Sequence, residues 1–166
     1  MNTKEAKNII SIIAISFSLW IFGQNSYSTK ASDINWVTIE EADSIQKTHP
    51  EKQILVKFYA DWCHPCKIMD QTTLQNEEVV KVINENYIPV SFDGESPKTF
   101  VFKDYKYFGV KASNGRYANT FTGTYLDSKT SYPSFVTIDN SGKRTSLNRS
   151  GYIKKEAFLP YLNQNK

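Results

Sequence analysis

Apolar positions along the chain fall into short blocks whose spacing changes from strand-like to helix-like and back. Residues 54–60, ILVKFYA, form a nearly continuous run rich in β-branched and aromatic side chains, which predicts a buried strand. Residues 36–39 alternate more weakly and predict a short strand, followed by a helix over 40–48 that stops before His49-Pro50. After Cys66, the residues Ile68, Met69, Leu74, Val79, Val80, Val82 and Ile83 recur at helical spacing. A division near Gln75-Asn76 makes these two helical pieces, the second started by Asn76. Residues 87–92 predict the next strand, and Asp93-Gly94 a turn. The stretch TFVFKDYKYF, 99–108, alternates on either side of Lys103-Asp104, which predicts a hairpin without a typical turn pair. Asn114-Gly115 marks a break, 117–126 a short helix and 134–139 a strand that turns at 140–143 into 144–148. A terminal helix over 154–163 presents Phe158, Leu159 and Leu162 on one face. Strands and helices that alternate first, with an antiparallel hairpin closing the sheet, predict an α/β sandwich around a mixed sheet.

The amino-terminal segment breaks this pattern. Lys4 and Lys7 precede an apolar stretch over 9–22, and a polar, small-residue segment follows, which is the order of a secretory signal. The apolar stretch has about 14 residues, short of the roughly 20 that span a bilayer as a helix. The reading is therefore a signal peptide over 1–28, with an uncleaved membrane anchor as its alternative, and one domain over 33–166 in a periplasmic or other extracytoplasmic compartment. A chain of 166 residues with 40% hydrophobic and 14% aromatic residues suits one packed domain. Its 20 basic and 17 acidic residues are scattered, so no basic run offers a footprint for nucleic acid.

Export changes the meaning of the cysteines. Only two are present, Cys63 and Cys66 in one Cys-x-x-Cys, so no framework of structural disulfides exists. A bridge across so short a loop restrains little unfolded-chain entropy, which leaves chemistry as the better use of the pair. A zinc site normally takes four ligands, and this chain adds only His49 and His64 to its two cysteines. No metal and no organic cofactor is expected. Between a buried strand and a helix, the first sulfur sits where unpaired N–H groups and the helix dipole favour thiolate, making Cys63 the nucleophile. Cys66, one turn into the helix, is then the resolving thiol. Pro65 fits the first helical turn and stiffens it. His64 either stabilises the Cys63 thiolate by charge or hydrogen bond, or stands by in solvent. Trp62 is a flat hydrophobic shield beside the dithiol.

The segment YADWCHPCK, 59–67, together with Tyr132-Pro133-Ser134, resembles the thioredoxin family. Its first five residues are especially similar to the periplasmic C-terminal domain of the transmembrane thiol:disulfide interchange proteins. The resemblance implies a thioredoxin-like three-layer sandwich with a mixed central sheet and a hairpin inserted before a cis-proline. It also implies that Pro133 is that cis-proline, beside the sulfurs, and that the backbone of Tyr132 pairs with the substrate chain. Two departures stand out. Where the family carries a buried Asp in the strand before the first cysteine, this chain has Lys57; the lysine either lowers a thiol pKa or snorkels to solvent. Asp61 is a substitute acid or a surface residue. The second departure is His64 in place of Gly.

The leading expectation is an extracytoplasmic thiol:disulfide oxidoreductase of protein-disulfide reductase or electron-relay type. It would act as a monomer on protein or peptide disulfides, with a membrane protein as electron donor. The alternatives are an oxidase or isomerase made oxidising by His64, and a non-catalytic module that binds peptides beside Tyr132-Pro133.

Overall fold

The structure is a computed structural model that describes residues 33–127, 131–146 and 148–165. The predicted export segment over 1–28 lies outside the described residues. Helix α1, Ile39–Thr48, leads into strand β1, Gln53–Tyr59. Helix α2, His64–Gln71, is followed by a 3-10 turn, Thr73–Gln75, and by helix α3, Glu77–Asn86. Strand β2, Tyr87–Asp93, lies parallel to β1, with Tyr59 opposite Asp93. Two hairpins come next, β3, Phe100–Phe102, with β4, Tyr105–Tyr107, then β5, Gly109–Lys111, with β6, Tyr117–Asn119. Helix α4, Thr120–Tyr125, strands β7, Ser134–Ile138, and β8, Arg149–Ser150, and helix α5, Lys155–Gln164, complete the chain.

The main sheet has the order β2-β1-β7-β8, with β7 antiparallel to both neighbours. Side-chain alternation along its strands makes two cores. Ile54, Val56 and Phe58 of β1 face α1, α4 and the first hairpin, whereas Leu55 faces α2, α3 and α5. This is the three-layer α/β sandwich with a mixed sheet that the sequence predicts. The first core is held by aromatic contacts. Phe121 of α4 is fully buried, and its ring lies 4.7 to 5.7 Å from those of Phe58, Phe92, Phe100, Phe102, Tyr107 and Tyr125. The inserted hairpin thus shares its packing with the central strands.

Local differences from the sequence reading have identifiable causes. Residues 36–39 supply only one bridge, Val37 to Val90, because Thr38 and Glu41 form a capping box that starts α1. Residues 117–119 pair with β5, and the helix begins later, where the Asn119 side chain caps the Phe121 N–H. The return over 144–148 is reduced to a bridge at Arg144, since the Ser146 hydroxyl takes the Thr137 N–H at 2.7 Å in place of a ladder bond. There are also two inserted hairpins where one was expected.

The Lys103-Asp104 turn has φ of 49° and 64°, a left-handed pair that usually calls for Asn or Gly. Its support is lateral. The Lys103 ammonium lies 3.0 Å from Asp43 of α1 and over the Phe102 ring, so burial and an ion pair offset the unfavourable backbone. Among the described residues, no helix is long and apolar enough to cross a membrane.

Candidate active site

Strand β1 runs through the middle of the sheet and ends at Tyr59, so the segment that follows is fixed by a buried rod. Ala60 accepts the Cys63 N–H, closing a turn that points the next residues into α2. Cys63 is the N-cap of that helix, and its Sγ accepts the Cys66 backbone N–H at 3.2 Å. Pro65 occupies the second helical position, where a missing N–H costs nothing. The two cysteines are joined as a disulfide. Once reduced, the same N–H faces the Cys63 sulfur and stabilises negative charge on it. Both cysteines are buried, Cys63 with only 1% of its surface exposed, while His64 and Asp61 face solvent.

Tyr132 and Tyr59 pack against the Ala60–Cys63–Cys66 cluster. The Tyr132-Pro133 peptide is cis. Burial, with Glu95 and Asp93 nearby, pushes the Tyr132 hydroxyl pKa up. The ring lies so close over Gly94 that a Cβ there would stand 2.1 Å from the hydroxyl oxygen. Trp62 is 6.1 Å from the Tyr132 ring and 59% exposed, yet it is held in place. Its indole N–H donates to Glu95 at 3.1 Å, and the Arg116 guanidinium lies 4.6 Å from the ring centroid. Arg116 binds Glu95 through both Nε and Nη2. The Arg116 hydrogen bonds hold the Glu95 carboxyl below its ordinary pKa, and the Trp62 bond helps. Asp93 is shifted the other way, raised by burial and by Asp61 and Glu95 beside it. Trp62, Gly94, Glu95, Arg116 and Tyr132 line a groove of about 920 Å³ that reaches Cys63 and is bordered by β6 and α4.

Lys57 does not snorkel. It is 5% exposed, and its ammonium lies 2.6 Å from Asp70 of α2 and over the rings of Trp36 and Tyr59 at 5.1 and 5.3 Å. The lysine therefore ties the redox helix to the central strand. Removing Asp70 leaves the buried Lys57 charge unpaired, whereas removing Lys57 leaves only Asp70, which is half exposed and open to hydration. Asp70→Ala is expected to lower stability by about 3 kcal/mol in urea denaturation, and Lys57→Met by no more than about 1 kcal/mol. Equal losses in the two variants would show that the ion pair is not what matters there.

A family profile described as thioredoxin-like matches residues 36–138. The chain belongs to the thioredoxin-like family. Among characterised relatives, the thiol:disulfide interchange protein DsbD of Neisseria meningitidis is 25% identical over 126 residues, covering 75% of this chain and 17% of that protein. The corresponding protein of Actinobacillus pleuropneumoniae is 24% identical over 154 residues, 88% of this chain and 22% of that one. This thioredoxin-like chain thus spans about a fifth of the length of those relatives. Among solved structures, the C-terminal domain of Neisseria meningitidis DsbD in its reduced form superposes with a TM-score of 0.53 at 23% identity, covering 76% of this chain and 92% of that domain. An oxidoreductase named DsbH superposes at 0.58 and 21% identity, covering 82% and 86%. The fold is the one these structures share.

The sequence reading names Trp62, Cys63, His64, Pro65, Cys66, Tyr132 and Pro133, and the structure gathers them at one end of the sheet. It misses Glu95, Arg116, Gly94 and Asp70. A signal existed for Asp70, since a lysine in a central strand needs an anion, and Asp70 lies one helical turn beyond Cys66. No local pattern marks Arg116, which reaches Glu95 only because the second hairpin folds back.

Proposed function

We propose that this protein is an extracytoplasmic thiol:disulfide oxidoreductase that reduces, or relays electrons to, protein disulfides. The observation that carries this reading is the Cys63–Cys66 disulfide at the start of α2, with the Cys66 N–H on the Cys63 sulfur and a groove leading to it. In the reduced protein the Cys63 thiolate attacks one sulfur of a substrate disulfide. A Cys63–substrate bond forms, and the other substrate sulfur leaves as a thiolate that takes a proton from water. Cys66 then loses its proton and attacks the Cys63 sulfur, releasing the second substrate thiolate and restoring the Cys63–Cys66 bond. Two electrons have passed to the substrate. A membrane protein dithiol returns them, by analogy with the interchange proteins named above, and the segment over 1–28 directs the chain to that compartment.

Tyr132 and Pro133 are the substrate-binding residues in this reading, which is supported by the packing of Tyr132 on the cysteine cluster, its place in the groove lining and the cis bond that joins it to Pro133. Trp62 and Pro65 shape the approach, and exposed His64 modulates the outer thiolate. Lys57 acts on the dithiol through the helix it anchors, and exposed Asp61 adds negative charge at the start of the redox loop.

Direction is decided by potential. Wild-type protein is expected to catalyse reduction of insulin disulfides by dithiothreitol, with a Cys63–Cys66 potential nearer to about −270 mV than to about −120 mV. A potential near the oxidising end would replace the reductase reading with an oxidase, and absence of turnover would remove both.

A further inference from the structure

The disulfide is barely open to solvent, although it ends in a wide groove. Cys63 is 1% exposed, and the side chain packed on the cysteine cluster from the groove side is Tyr132. Tyr132 is itself confined, with Gly94 beneath its hydroxyl end and Trp62 beside its ring. An exposed indole would normally sample several rotamers, but Trp62 is held by two others. Glu95 accepts its N–H, and Arg116 covers a ring face while binding both oxygens of the same carboxylate. The three residues come from three segments: the redox loop, the turn after β2 and the β5–β6 connection. They make a closed triangle at the mouth of the groove, half exposed on the arginine side.

We propose that Arg116 and Glu95 are positioning residues that clamp Trp62 against Tyr132, slow the attack of small thiols on the outer sulfur, and yield more readily to a polypeptide thiol that fills the groove. The inference rests on the oxidoreductase reading and adds to it a selection among reductants. A small thiol gains too little contact to displace Trp62 or Tyr132. An extended chain lying along β6 and α4 gains contact with the groove wall as the rings move, so binding and uncovering occur together. The ion pair is partly exposed, and so the clamp weakens with salt.

The test follows reduction of the oxidised full chain by dithiothreitol and, separately, by reduced thioredoxin as a protein dithiol, counting free thiols against time. With dithiothreitol, its thiolate attacks the Cys63 sulfur and the Cys63–Cys66 bond breaks with its electron pair on Cys66. The second dithiothreitol sulfur then displaces Cys63, leaving a cyclic disulfide and a reduced protein. Arg116→Ala is expected to react with dithiothreitol about fivefold faster, and with the protein dithiol to gain clearly less, because that chain also loses its groove contact with Arg116. Glu95→Gln keeps an acceptor for the indole N–H but loses the ion pair, and should fall between. Raising salt to about 1 M should speed the dithiothreitol reaction of the wild type more than that of Arg116→Ala.

Unchanged or slower dithiothreitol reduction in folded Arg116→Ala, checked by its urea midpoint, would overturn the clamp. So would an equal rise with both reductants, since that is loosening without selection. If Arg116→Ala does not fold, the Glu95→Gln rates and the wild-type salt response decide by the same criteria. Failure of the pre-reduced wild type to reduce insulin stoichiometrically, with no small thiol present, would instead remove the oxidoreductase reading itself.

Discussion

Cys66→Ala protein recovered from cells is expected to carry other proteins attached through Cys63, as bands on a non-reducing gel that collapse on reduction. The wild type should show almost none. The difference follows from the order of sulfurs along α2. Cys63, at the N-cap, makes the first bond to substrate, and Cys66 is already 3.2 Å away through its own N–H, on the next turn. Intramolecular attack by so well placed a thiol corresponds to an effective concentration of about 10⁵ M or more, which no free thiol in a cell matches. Removing it lengthens the life of the mixed disulfide by orders of magnitude. Cys63→Ser should neither trap partners nor reduce insulin, because the groove reaches Cys63 and its lining does not include Cys66. Equal trapping by Cys63→Ser and Cys66→Ala would reverse the assigned roles, and trapping by neither would count against protein substrates.

Phe121→Ala should cost about 3 to 5 kcal/mol of stability, read as a lower urea midpoint with the disulfide intact. That is a large share of the roughly 5 to 15 kcal/mol a domain possesses. Phe121 is fully buried and touches six other rings, from β1, β2, the first hairpin and its own helix. No single neighbour can move to fill the space without leaving another ring unsupported, so the cavity persists. Loss should also show as weakened near-ultraviolet circular dichroism, because the aromatic cluster supplies much of the fixed asymmetry. A penalty below about 1 kcal/mol would mean that the hairpin and α4 are not packed as one core with the sheet.

Much of this was legible in the chain. The run from Ile54 to Ala60 could only be a strand buried on both faces, and the dithiol motif at its end fixed where the helix had to begin. Those are strong signals because each residue's preference agrees with its neighbours'. Illegible features were the ones that depend on distant partners. Residues 117–119 carry aromatic and small side chains that suit a helix or a strand, and pairing with β5 decided the matter. Lys57 read as an oddity because its meaning lies in Asp70, on another element. Arg116 lies in a loop whose sequence gives no reason for a guanidinium, until that loop is seen beside Trp62.

The tyrosine ring resting on the bare backbone of Gly94 makes those two positions a single steric unit. A methyl group at 94 and an aromatic at 132 compete for one volume, so neither residue is free to vary alone. In a library randomised at both sites, folded members should retain glycine wherever position 132 is large and admit bulk at 94 only where 132 has become small. The floor of the groove and its roof are thereby inherited as a pair.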